Sequence, residues 1–279
     1  MITQKDLKNK LKSVSVTGKL ADAVESISAA KYYRAIRAYT SFMPYAKTVE
    51  ELAKRVTDPY AGKNTAGKRC YVVLTSNRGL CGGYNSQLYN FFADKTVGEK
   101  YPLLVVCGKK GIEHFKTASV KVDRTFVFSD IPPYSQSLEL SEYLLKLYST
   151  GEASEVVFVY QKFKNLLVQN PFSERLLPLK GEDTEEADCF FYPGRAEVEN
   201  ILYEKYIKSK IHYIMLEWSS GVQAATMTAM RTSAENAKNL KAELELTLNR
   251  RRQASVTSGV AETTHIENHN ETNQTEGRV

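Results

Sequence analysis

The sequence predicts an α/β protein: a long antiparallel coiled coil of N- and C-terminal helices with an inserted Rossmann-like α/β domain. Near both ends, apolar residues recur at steps of three and four, which is the period of an amphipathic helix. Between them, continuous apolar runs alternate with short helical patterns, which is typical of βαβ units and a mostly parallel sheet. We therefore divide the chain into a coiled-coil helix over 1–57, the α/β domain over 68–193, a second coiled-coil helix over 194–258 and a disordered polar tail over 259–279.

Length and composition limit the class of protein. The chain has 279 residues, of which 42% are hydrophobic and 25% are charged, so it can bury a sizeable core. It contains no apolar run near the roughly 20 residues that a membrane span needs, which predicts that it is not an integral membrane protein. Its first residues lack the apolar segment of a secretory signal. The net charge of +6 is mild and points to acidic protein partners more than to nucleic acid.

The first helix is predicted over residues 3–56. Its apolar stripe is assigned to Leu7, Leu11, Val14, Leu20, Val24 and Ile27. Pro44 lies inside the pattern, and we expect it to bend the helix without ending it because the period resumes afterwards. Eleven basic and five acidic residues lie in this segment, so its surplus of six equals the net charge of the whole chain.

The middle of the chain predicts alternating strands and helices. Strands are expected over 70–75, 103–107, 125–128 and 155–160, with an edge strand over 174–178. Helices are expected over 84–94, 109–117 and 137–148. Strands joined by helices in this way pair in parallel and give a Rossmann-like domain.

The second long helix begins after Pro193 and is expected to end near Thr257. Its seam is assigned to Ile207, Ile211, Ile214, Trp218, Ala225, Ala229, Leu240, Leu244 and Leu248. No proline interrupts the segment, and a seam of this length needs a partner helix, for which the first helix is the nearest. Ser258 and Gly259 are expected to break the helix, and the scarcity of apolar residues beyond them predicts disorder.

Two glycine-rich segments look like phosphate-binding loops. Residues 62–68 (GKNTAGK) match the start of a P-loop, but Arg69 stands where the motif needs Ser or Thr, and the segment precedes a strand instead of following one. We interpret it as a flexible surface loop. Residues 79–83 (GLCGG) follow a strand but lack the dinucleotide-binding pattern, so we interpret them as a tight turn. A nucleotide-dependent enzyme at this turn is kept as an alternative.

No combination of residues predicts catalysis or metal binding. The cysteines form no CxxC motif, and reduced, partly buried thiols are expected. They are Cys70, Cys81, Cys107 and Cys189. His265 and His269 are four residues apart, but no glutamate stands where a zinc-protease motif needs it. We therefore expect no catalytic residue, no metal and no cofactor.

A basic surface is predicted near the two termini. Arg250, Arg251 and Arg252 lie near the end of the second helix. An antiparallel pair of helices places them at the same end as Lys8 and Lys12. Nucleic-acid binding would need aromatic side chains or a wider basic face, which this end lacks. An acidic protein surface is therefore the expected partner.

Short motifs spread over residues 3–258 carry a family resemblance. They are LKSV at 11–14, AAKYYRA at 29–35, PYA at 44–46, SNRGLCGGYN at 76–85, YQKFKN at 160–165, AMR at 229–231 and LNRRRQASVT at 248–257. Together they resemble the gamma subunit of the F-type ATP synthase. The resemblance extends over both predicted helices and the α/β domain between them.

The resemblance implies the central-stalk rotor of that complex, which couples ion flow to rotary ATP synthesis or hydrolysis and has no catalytic site of its own. The implied partners are the alpha and beta subunits of the ring, an epsilon-type subunit and the membrane c-ring. Attachment would be peripheral, on the cytoplasmic side of the cell inner membrane or plasma membrane. A free-standing coiled-coil scaffold or adaptor, which would form a dimer, is the alternative.

The resemblance also marks individual residues. Arg252, Gln253 and Thr257 match the family's contacts with the ring. Val24 and Thr226 stand where the family has Met and Arg, so the ring contact at that level departs from the pattern. The signature loop consists of Arg78, Gly79, Leu80, Cys81, Gly82 and Gly83. The dithiol insertion of chloroplast members is absent, which argues against thiol regulation.

Overall fold

The computed structural model describes residues 3–54, 58–60, 67–99, 102–179, 192 and 194–276, with side chains up to residue 257. The chain divides into two compact units: a smaller one of Met1–Val24 and Met230–Val279, and a larger one of Glu25–Ala229. Two long helices contribute to both units, α1 (Gln4–Ala53) and α5 (Arg195–Glu276). The two long helices predicted from periodicity are therefore confirmed.

Among the described residues, the larger unit contains a five-stranded sheet. Its strands are β1 (Lys68–Leu74), β2 (Leu103–Cys107), β3 (Arg124–Phe126), β4 (Ala153–Phe163) and β5 (Gln169–Leu177), in the order β3-β2-β1-β4-β5. The first four strands pair in parallel, and β5 runs antiparallel to β4. The connecting helices are α2 (Tyr84–Lys95), α3 (Lys109–Thr117) and α4 (Tyr134–Ser149). The predicted Rossmann-like architecture is confirmed.

Alternating side chains along the central strand β1 separate two layers of core. Cys70, Val72 and Leu74 are fully buried in a cluster that includes residues of α4 and α5. Tyr71 and Val73 are fully buried in a second cluster that includes residues of α2 and α3. One layer of the sheet is therefore covered in part by α5, which holds the α/β domain against this long helix.

The two edge strands differ from their predicted bounds. The strand predicted over 125–128 ends at Phe126, because the following segment turns away to bond with both long helices through Asp130. The edge strand predicted over 174–178 is longer, because β4 and β5 form a hairpin paired as far as Phe163 and Gln169. Pro171 is tolerated there, since an edge strand leaves one row of backbone groups unpaired.

The buried seam of α1 repeats every seven residues. Its buried or half-buried positions are Leu7, Val14, Ala21, Ser28, Ala35, Phe42 and Val49 in one row and Leu11, Gly18, Glu25, Tyr32, Tyr39, Ala46 and Ala53 in the other. The predicted stripe also included Leu20 and Ile27, which are 59% and 53% exposed. These two assignments are wrong, because the small residues Ala21 and Ser28 occupy the seam beside them.

In the smaller unit, α5 has a seam of the same period. Its buried or half-buried positions are Met230, Ala234, Ala237, Lys241, Leu244, Leu248 and Arg251. A Cβ atom on Gly18 would lie 3.2 Å from Cβ of Ala237, so the two helices pack closely there. Leu244 and Leu248 are confirmed as seam residues, whereas Leu240 is 38% exposed and its assignment is wrong.

Both long helices continue through residues that often interrupt helices. α1 runs through Pro44, as predicted, and ends at Ala53. α5 runs through Ser258 and Gly259 to Glu276, so the predicted helix end and the predicted disorder of 259–276 are wrong for the backbone. One glycine costs a helix about 1 kcal/mol against about 3 kcal/mol for a proline, and no proline follows Gly259.

Candidate functional site

The smaller unit contains the basic residues that the sequence predicts as a partner-binding surface. Lys8 and Lys12 are exposed on α1. Arg250 and Arg252 are exposed on α5, and Arg251 between them is half-buried on the seam. Most of this positive charge is therefore available to a partner.

The register of the helix pair brings these residues to one end of the smaller unit. Gly18 packs against Ala237, and in an antiparallel pair each step of seven toward the start of α1 matches a step of seven toward the end of α5. Leu11 therefore lies level with Leu244, and the first turn of α1 lies level with residue 251. The lysines of α1 and the arginines of α5 share this end, as predicted.

A capping box orders the first turn of α1. The backbone N–H of Thr3 donates to Oδ2 of Asp6 at 2.9 Å, and the N–H of Asp6 donates to Oγ1 of Thr3 at 3.2 Å. The side-chain hydrogen bond from Thr3, together with the backbone one, lowers the pKa of Asp6 below its ordinary value. Asp6 is thus occupied by the cap, and the neighbouring lysines dominate the charge of this turn.

The other predicted ring contacts lie in both units. Gln253 and Thr257 are exposed in the smaller unit, and the hydroxyl of Thr257 donates to the carbonyl of Gln253 at 3.0 Å. Val24 is half-buried in the smaller unit. Thr226 is half-buried in the larger unit, where its hydroxyl donates to the carbonyl of Val222 at 2.8 Å. Each threonine hydroxyl is therefore bonded within its own helix.

The signature loop forms a turn between β1 and α2. Gly82 has a φ of +59°, which favours glycine, and Leu80 has a φ of +66° with 59% of its side chain exposed. Cys81 is buried, and Nδ2 of Asn85 lies 3.5 Å from its Sγ. The remaining glycines of the loop, both exposed, are Gly79 and Gly83. The predicted tight turn that requires glycine is confirmed at Gly82.

Arg78 and Asp130 connect the signature loop to both long helices. Nη2 of Arg78 lies 3.6 Å from Oδ2 of Asp130, and the Arg78 side chain is 74% exposed. Nζ of Lys31 on α1 lies 2.5 Å from the same oxygen. The hydroxyl of Ser219 on α5 donates to the backbone carbonyl of Asp130 at 2.5 Å. The segment between β3 and α4 is therefore fixed to α1 and α5 at one residue.

A buried lysine joins α5, α1 and β5. Nζ of Lys210 lies 3.0 Å from Oε1 of Glu50 on α1 and 2.8 Å from Oε1 of Glu174 on β5, and its side chain is 12% exposed. Burial lowers the pKa of Lys210, but the two carboxylates outweigh burial and hold the pKa above its ordinary value. Lys210 is therefore charged and holds three elements together at one point.

A buried glutamate joins α5 to β4. Glu217 is 3% exposed, and its Oε1 accepts a hydrogen bond from the backbone N–H of Phe163 at 3.1 Å. The hydroxyl oxygen of Tyr160 lies 3.2 Å from Oε2 of Glu217 and also 3.2 Å from Oε2 of Glu174. Burial raises the pKa of Glu217, although the hydrogen bond with Tyr160 and the charge of Lys162 oppose the shift.

A buried histidine joins α5 to α4. Nδ1 of His212 lies 2.7 Å from Oγ of Ser137, and the imidazole meets the rings of Phe42 and Tyr134 edge to face. Burial lowers the pKa of His212 to about 4. The imidazole is therefore neutral at physiological pH, and it lines an apolar cleft between α1 and residues 131–134.

We call Lys210, Glu174, Tyr160 and Glu217 the joint, because they connect the α/β domain to the long helices. None of the four is a predicted site residue, although Tyr160 opens the motif YQKFKN at 160–165. Glu217 carries a signal, since it stands in the run IMLEW at 214–218, where its neighbours are all apolar. A carboxyl group buried in such a run is paired or protonated. Lys210 carries no comparable signal, because its partners are distant along the chain.

The remaining predicted residues fall into two groups. The cysteines seen in the structure are free and buried, as predicted, and they are Cys70, Cys81 and Cys107. Cys189, residues 61–66 and the side chains of His265 and His269 lie outside the described residues.

In the described ranges, no three His, Cys, Asp or Glu side chains gather where they could hold a metal ion. None of the helices in those ranges is long and apolar enough to cross a membrane.

Comparisons with known proteins agree with one another. The profile of a family described as ATP synthase matches residues 3–264. The chain is 32% identical to the ATP synthase gamma chain of Moorella thermoacetica over 273 residues, which cover 94% of this chain and 97% of that one. It is 29% identical to the ATP synthase gamma chain of Desulfitobacterium hafniense over 272 residues, with the same coverage of each chain.

Solved structures of rotor subunits share the fold. A chain of the rotor of Euglena gracilis mitochondrial ATP synthase matches with a TM-score of 0.68 at 16% identity, covering 91% of this chain and 98% of that one. A chain of the central stalk and c-ring of Tetrahymena thermophila mitochondrial ATP synthase matches with a TM-score of 0.60 at 19% identity, covering 76% and 98%. At identities this low, the similarity concerns the fold alone.

Proposed function

The chain belongs to the ATP synthase gamma-chain family, and we propose from its own surface how it carries out that family's part in the complex. It is the central-stalk rotor subunit of an F-type ATP synthase and has no catalytic role. It couples ion flow through the membrane part to rotary ATP synthesis or hydrolysis in the alpha/beta ring. The match of the family profile over nearly the whole chain carries this assignment, and the resemblance of the motifs is confirmed.

We infer that the basic end of the smaller unit contacts acidic loops of the alpha/beta ring. Its exposed lysines and arginines give short-range attraction, because charges at a protein surface are screened within about 8 to 10 Å in physiological salt. Charge complementarity of this kind sets orientation and specificity more than affinity. The residues assigned to ring contact are Lys8, Lys12, Val24, Thr226, Arg250, Arg251, Arg252, Gln253 and Thr257.

The larger unit is proposed to meet the other partners. Its α/β domain offers the surface for an epsilon-type subunit and the membrane c-ring, because the basic end of the smaller unit is assigned to the alpha/beta ring. The chain is a peripheral part of this membrane complex. We place it on the cytoplasmic side of the cell inner membrane or plasma membrane.

Rotation is proposed to act through differential binding. A pair of unlike helices has no threefold symmetry, so the three catalytic sites of a ring meet different faces of it at any one angle. Each ring conformation then binds the shaft with a different free energy, and turning the shaft shifts the populations of those conformations. The shaft must be stiff for this. Small seam residues such as Gly18 and Ala21 let the helices pack closely, which favours a stiff rod.

One observation disfavours the free-standing scaffold. A scaffold of that kind would use its apolar seams to bind a second copy, whereas here Gly18 and Ala237 pack against each other within one chain. This packing favours a rotor built as an intramolecular helix pair.

Assembly with the ring tests the proposed function. The chain is co-expressed with the alpha and beta subunits from the same source, and the product is analysed by size and ATPase activity. One copy per ring and an altered ATPase turnover are expected. A free dimer that leaves the ATPase unchanged would instead support the scaffold.

Charge reversal tests the ring contact. Replacing Arg250 and Arg252 by Glu is expected to lower coupling several-fold without unfolding the α/β domain. The matched control reverses Lys205 and Lys238, which are also exposed on α5 but lie away from the basic end. Equal coupling in the two variants would refute the proposed contact.

A further inference from the structure

The joint forms a continuous row of polar groups between α5 and the strands β4 and β5. Nζ of Lys210 contacts Oε1 of Glu174 at 2.8 Å, and Oε2 of Glu174 lies 3.2 Å from the hydroxyl oxygen of Tyr160. That hydroxyl oxygen lies 3.2 Å from Oε2 of Glu217, whose Oε1 accepts the N–H of Phe163 at 3.1 Å. Every oxygen of both carboxyl groups therefore has a polar neighbour.

The row has too few protons for its hydrogen bonds if both carboxyl groups are ionised. Tyr160 has one hydroxyl proton, yet its oxygen lies 3.2 Å from two carboxyl oxygens. One of the two contacts would then place lone pairs against lone pairs in a buried site, which is repulsive. The contact becomes a hydrogen bond if one carboxyl group carries a proton.

The two carboxyl groups of the row differ in their ion-pair partners. Glu174 has one, because Nζ of Lys210 lies 2.8 Å from its Oε1. Glu217 is 3% exposed, and within the described part of the chain no lysine or arginine nitrogen forms an ion pair with it. A buried carboxyl group without a cation is neutralised by taking up a proton.

We propose that Glu217 is protonated in the folded protein at neutral pH and donates to Tyr160, which donates in turn to Glu174. In this arrangement each hydrogen bond of the row has one donor and one acceptor. Glu217 is then a positioning residue: through Tyr160 and the backbone of Phe163 it holds the β4–β5 hairpin on α5. Its part in transmitting torque rests on the proposed function, whereas its protonation is a property of the chain alone.

Charged and titratable groups on every neighbouring element act on this site. Those facing Glu217 or its partners are Tyr160 and Lys162 on β4, Glu174 on β5, Lys210 and Tyr213 on α5, Tyr39 and Glu50 on α1, and Tyr84 on α2. Lys162 is the cation that favours ionisation of Glu217, and its ammonium group lies 4.3 Å from the ring centroid of Phe172. Burial outweighs it.

Infrared spectroscopy of the full-length chain tests the proton directly. At neutral pH the wild-type chain is expected to show the carbonyl stretch of a protonated carboxylic acid, and Glu217→Gln is expected to remove it. Tyr160→Phe is expected to keep this band and move it to higher frequency, because the acid loses its acceptor. The matched control is Glu204→Gln, an exposed glutamate on the same helix, which leaves the band unchanged. A neutral-pH spectrum with no band that Glu217→Gln removes would overturn the proposal.

Unfolding as a function of pH gives a second measurement. A carboxyl group with a raised pKa in the folded state makes the folded protein less stable as pH rises from the ordinary carboxyl pKa through the raised one. Relative to Glu217→Gln, the unfolding constant of the wild type is expected to rise by up to about tenfold per pH unit in this window. Parallel curves for the two proteins would contradict the proposal.

A third measurement distinguishes a failure of the positioning role of Glu217 from a failure of the proposed rotor function. It is the coupling of ion flow to ATP synthesis or hydrolysis in the assembled complex. Glu217→Gln keeps a donor and an acceptor and is expected to retain coupling at all pH values, whereas Glu217→Ala is expected to lower it at least fivefold. In the wild type, coupling is expected to fall at alkaline pH as Glu217 ionises. If the wild type couples and Glu217→Ala couples equally well, the positioning role fails while the rotor stands. If the wild type does not assemble with the ring, the proposed rotor fails, and the infrared result on the chain is unaffected.

Discussion

The hydroxyl oxygens of Tyr39 on α1 and Tyr213 on α5 lie 2.7 Å apart, and the two rings lie 4.9 Å apart at an angle of 30°. One phenol therefore donates to the other across the interface of the two long helices in the larger unit. Burial is the main cause that raises the pKa of each phenol above its ordinary value. Both groups stay neutral, and the bond persists over the ordinary pH range.

The contact between Tyr39 and Tyr213 predicts that the losses of unfolding free energy on removing the two hydroxyl groups are not additive. Tyr39→Phe leaves the hydroxyl of Tyr213 without its partner, so the free energy of unfolding is expected to fall by about 1 to 2 kcal/mol. Tyr213→Phe is expected to cost a similar amount, and the double variant less than the sum, because no unpaired hydroxyl remains. Urea unfolding measures all three. Tyr33→Phe, at a position that is 62% exposed, serves as the control. Strict additivity would show that the two hydroxyls do not interact.

His212 predicts a loss of stability in mild acid. Its pKa is about 4 in the folded protein and near 6.5 when unfolded, so the unfolded state binds more protons between these values. The unfolding constant is therefore expected to rise by up to about tenfold per unit as pH falls from 6.5 to 4. His212→Gln cannot titrate and is expected to remove this part of the pH dependence. Urea unfolding at several pH values measures it, and an identical slope for both proteins would count against a buried neutral imidazole.

The close packing at Gly18 predicts that a large side chain at this position destabilises the smaller unit. A Cβ atom there would lie 3.2 Å from Cβ of Ala237, so a large side chain must push the helices apart. Gly18→Leu is expected to lower the free energy of unfolding of this unit by about 1 to 3 kcal/mol. Gly18→Ala is expected to be far milder, because its gain in helix propensity offsets a small shift. Hydrogen exchange of residues 230–257 reports the effect, and Val16→Leu at an exposed position is the control. Equal exchange in the Leu variant and the control would exclude close packing at Gly18.

The elements of the α/β domain could be predicted because their signals are local. The runs at 103–107 and 109–117 coincide with β2 and α3, since a continuous apolar run bounded by turn residues suffices to mark a buried strand. The bend in the chain at Gly82 was likewise predictable, because few residues other than glycine adopt its positive φ. Local composition therefore identified most of the larger unit.

The seams were less predictable because a coiled coil does not select only large apolar residues. Leu20 and Ile27 fit a helical stripe, but a strict repeat of seven starting at Leu7 selects Ala21 and Ser28 instead. Close backbones favour small residues in the seam, so hydrophobicity alone points to the wrong face. The residues at every seventh position from Leu7 would have identified this row of the seam from the sequence.

The joint could not be predicted because its bonds connect distant segments. Lys210 contacts Glu50 at a separation of 160 residues, and Glu217 contacts Tyr160 at a separation of 57. A sequence shows that a charge stands in an apolar run, but not which partner neutralises it. The register of β4 against β5, which brings Tyr160 and Glu174 together, emerges only from the folded sheet.

The ion cluster around Lys210 predicts a large cost for losing its cation. Lys210→Met leaves Glu50 and Glu174 near each other with no positive charge between them. Because the side chains of Glu50 and Glu174 are 42% and 26% exposed, water screens part of their repulsion, and we expect the free energy of unfolding to fall by about 1 to 3 kcal/mol. Urea unfolding at neutral pH measures the loss.

Two further variants isolate the unpaired charge as the cause. Adding Glu174→Gln to Lys210→Met removes one of the stranded charges and is expected to restore part of the stability. Lys208→Met is the matched control, because Lys208 pairs with Glu204 at 2.8 Å on the same helix at a more exposed site. A surface pair of this kind contributes about 0 to 1 kcal/mol. If Lys210→Met cost no more than Lys208→Met, the cluster would add nothing to the attachment of β5 and α1 to α5, and the apolar layer of Ile207, Ile211 and Trp218 would carry that attachment alone.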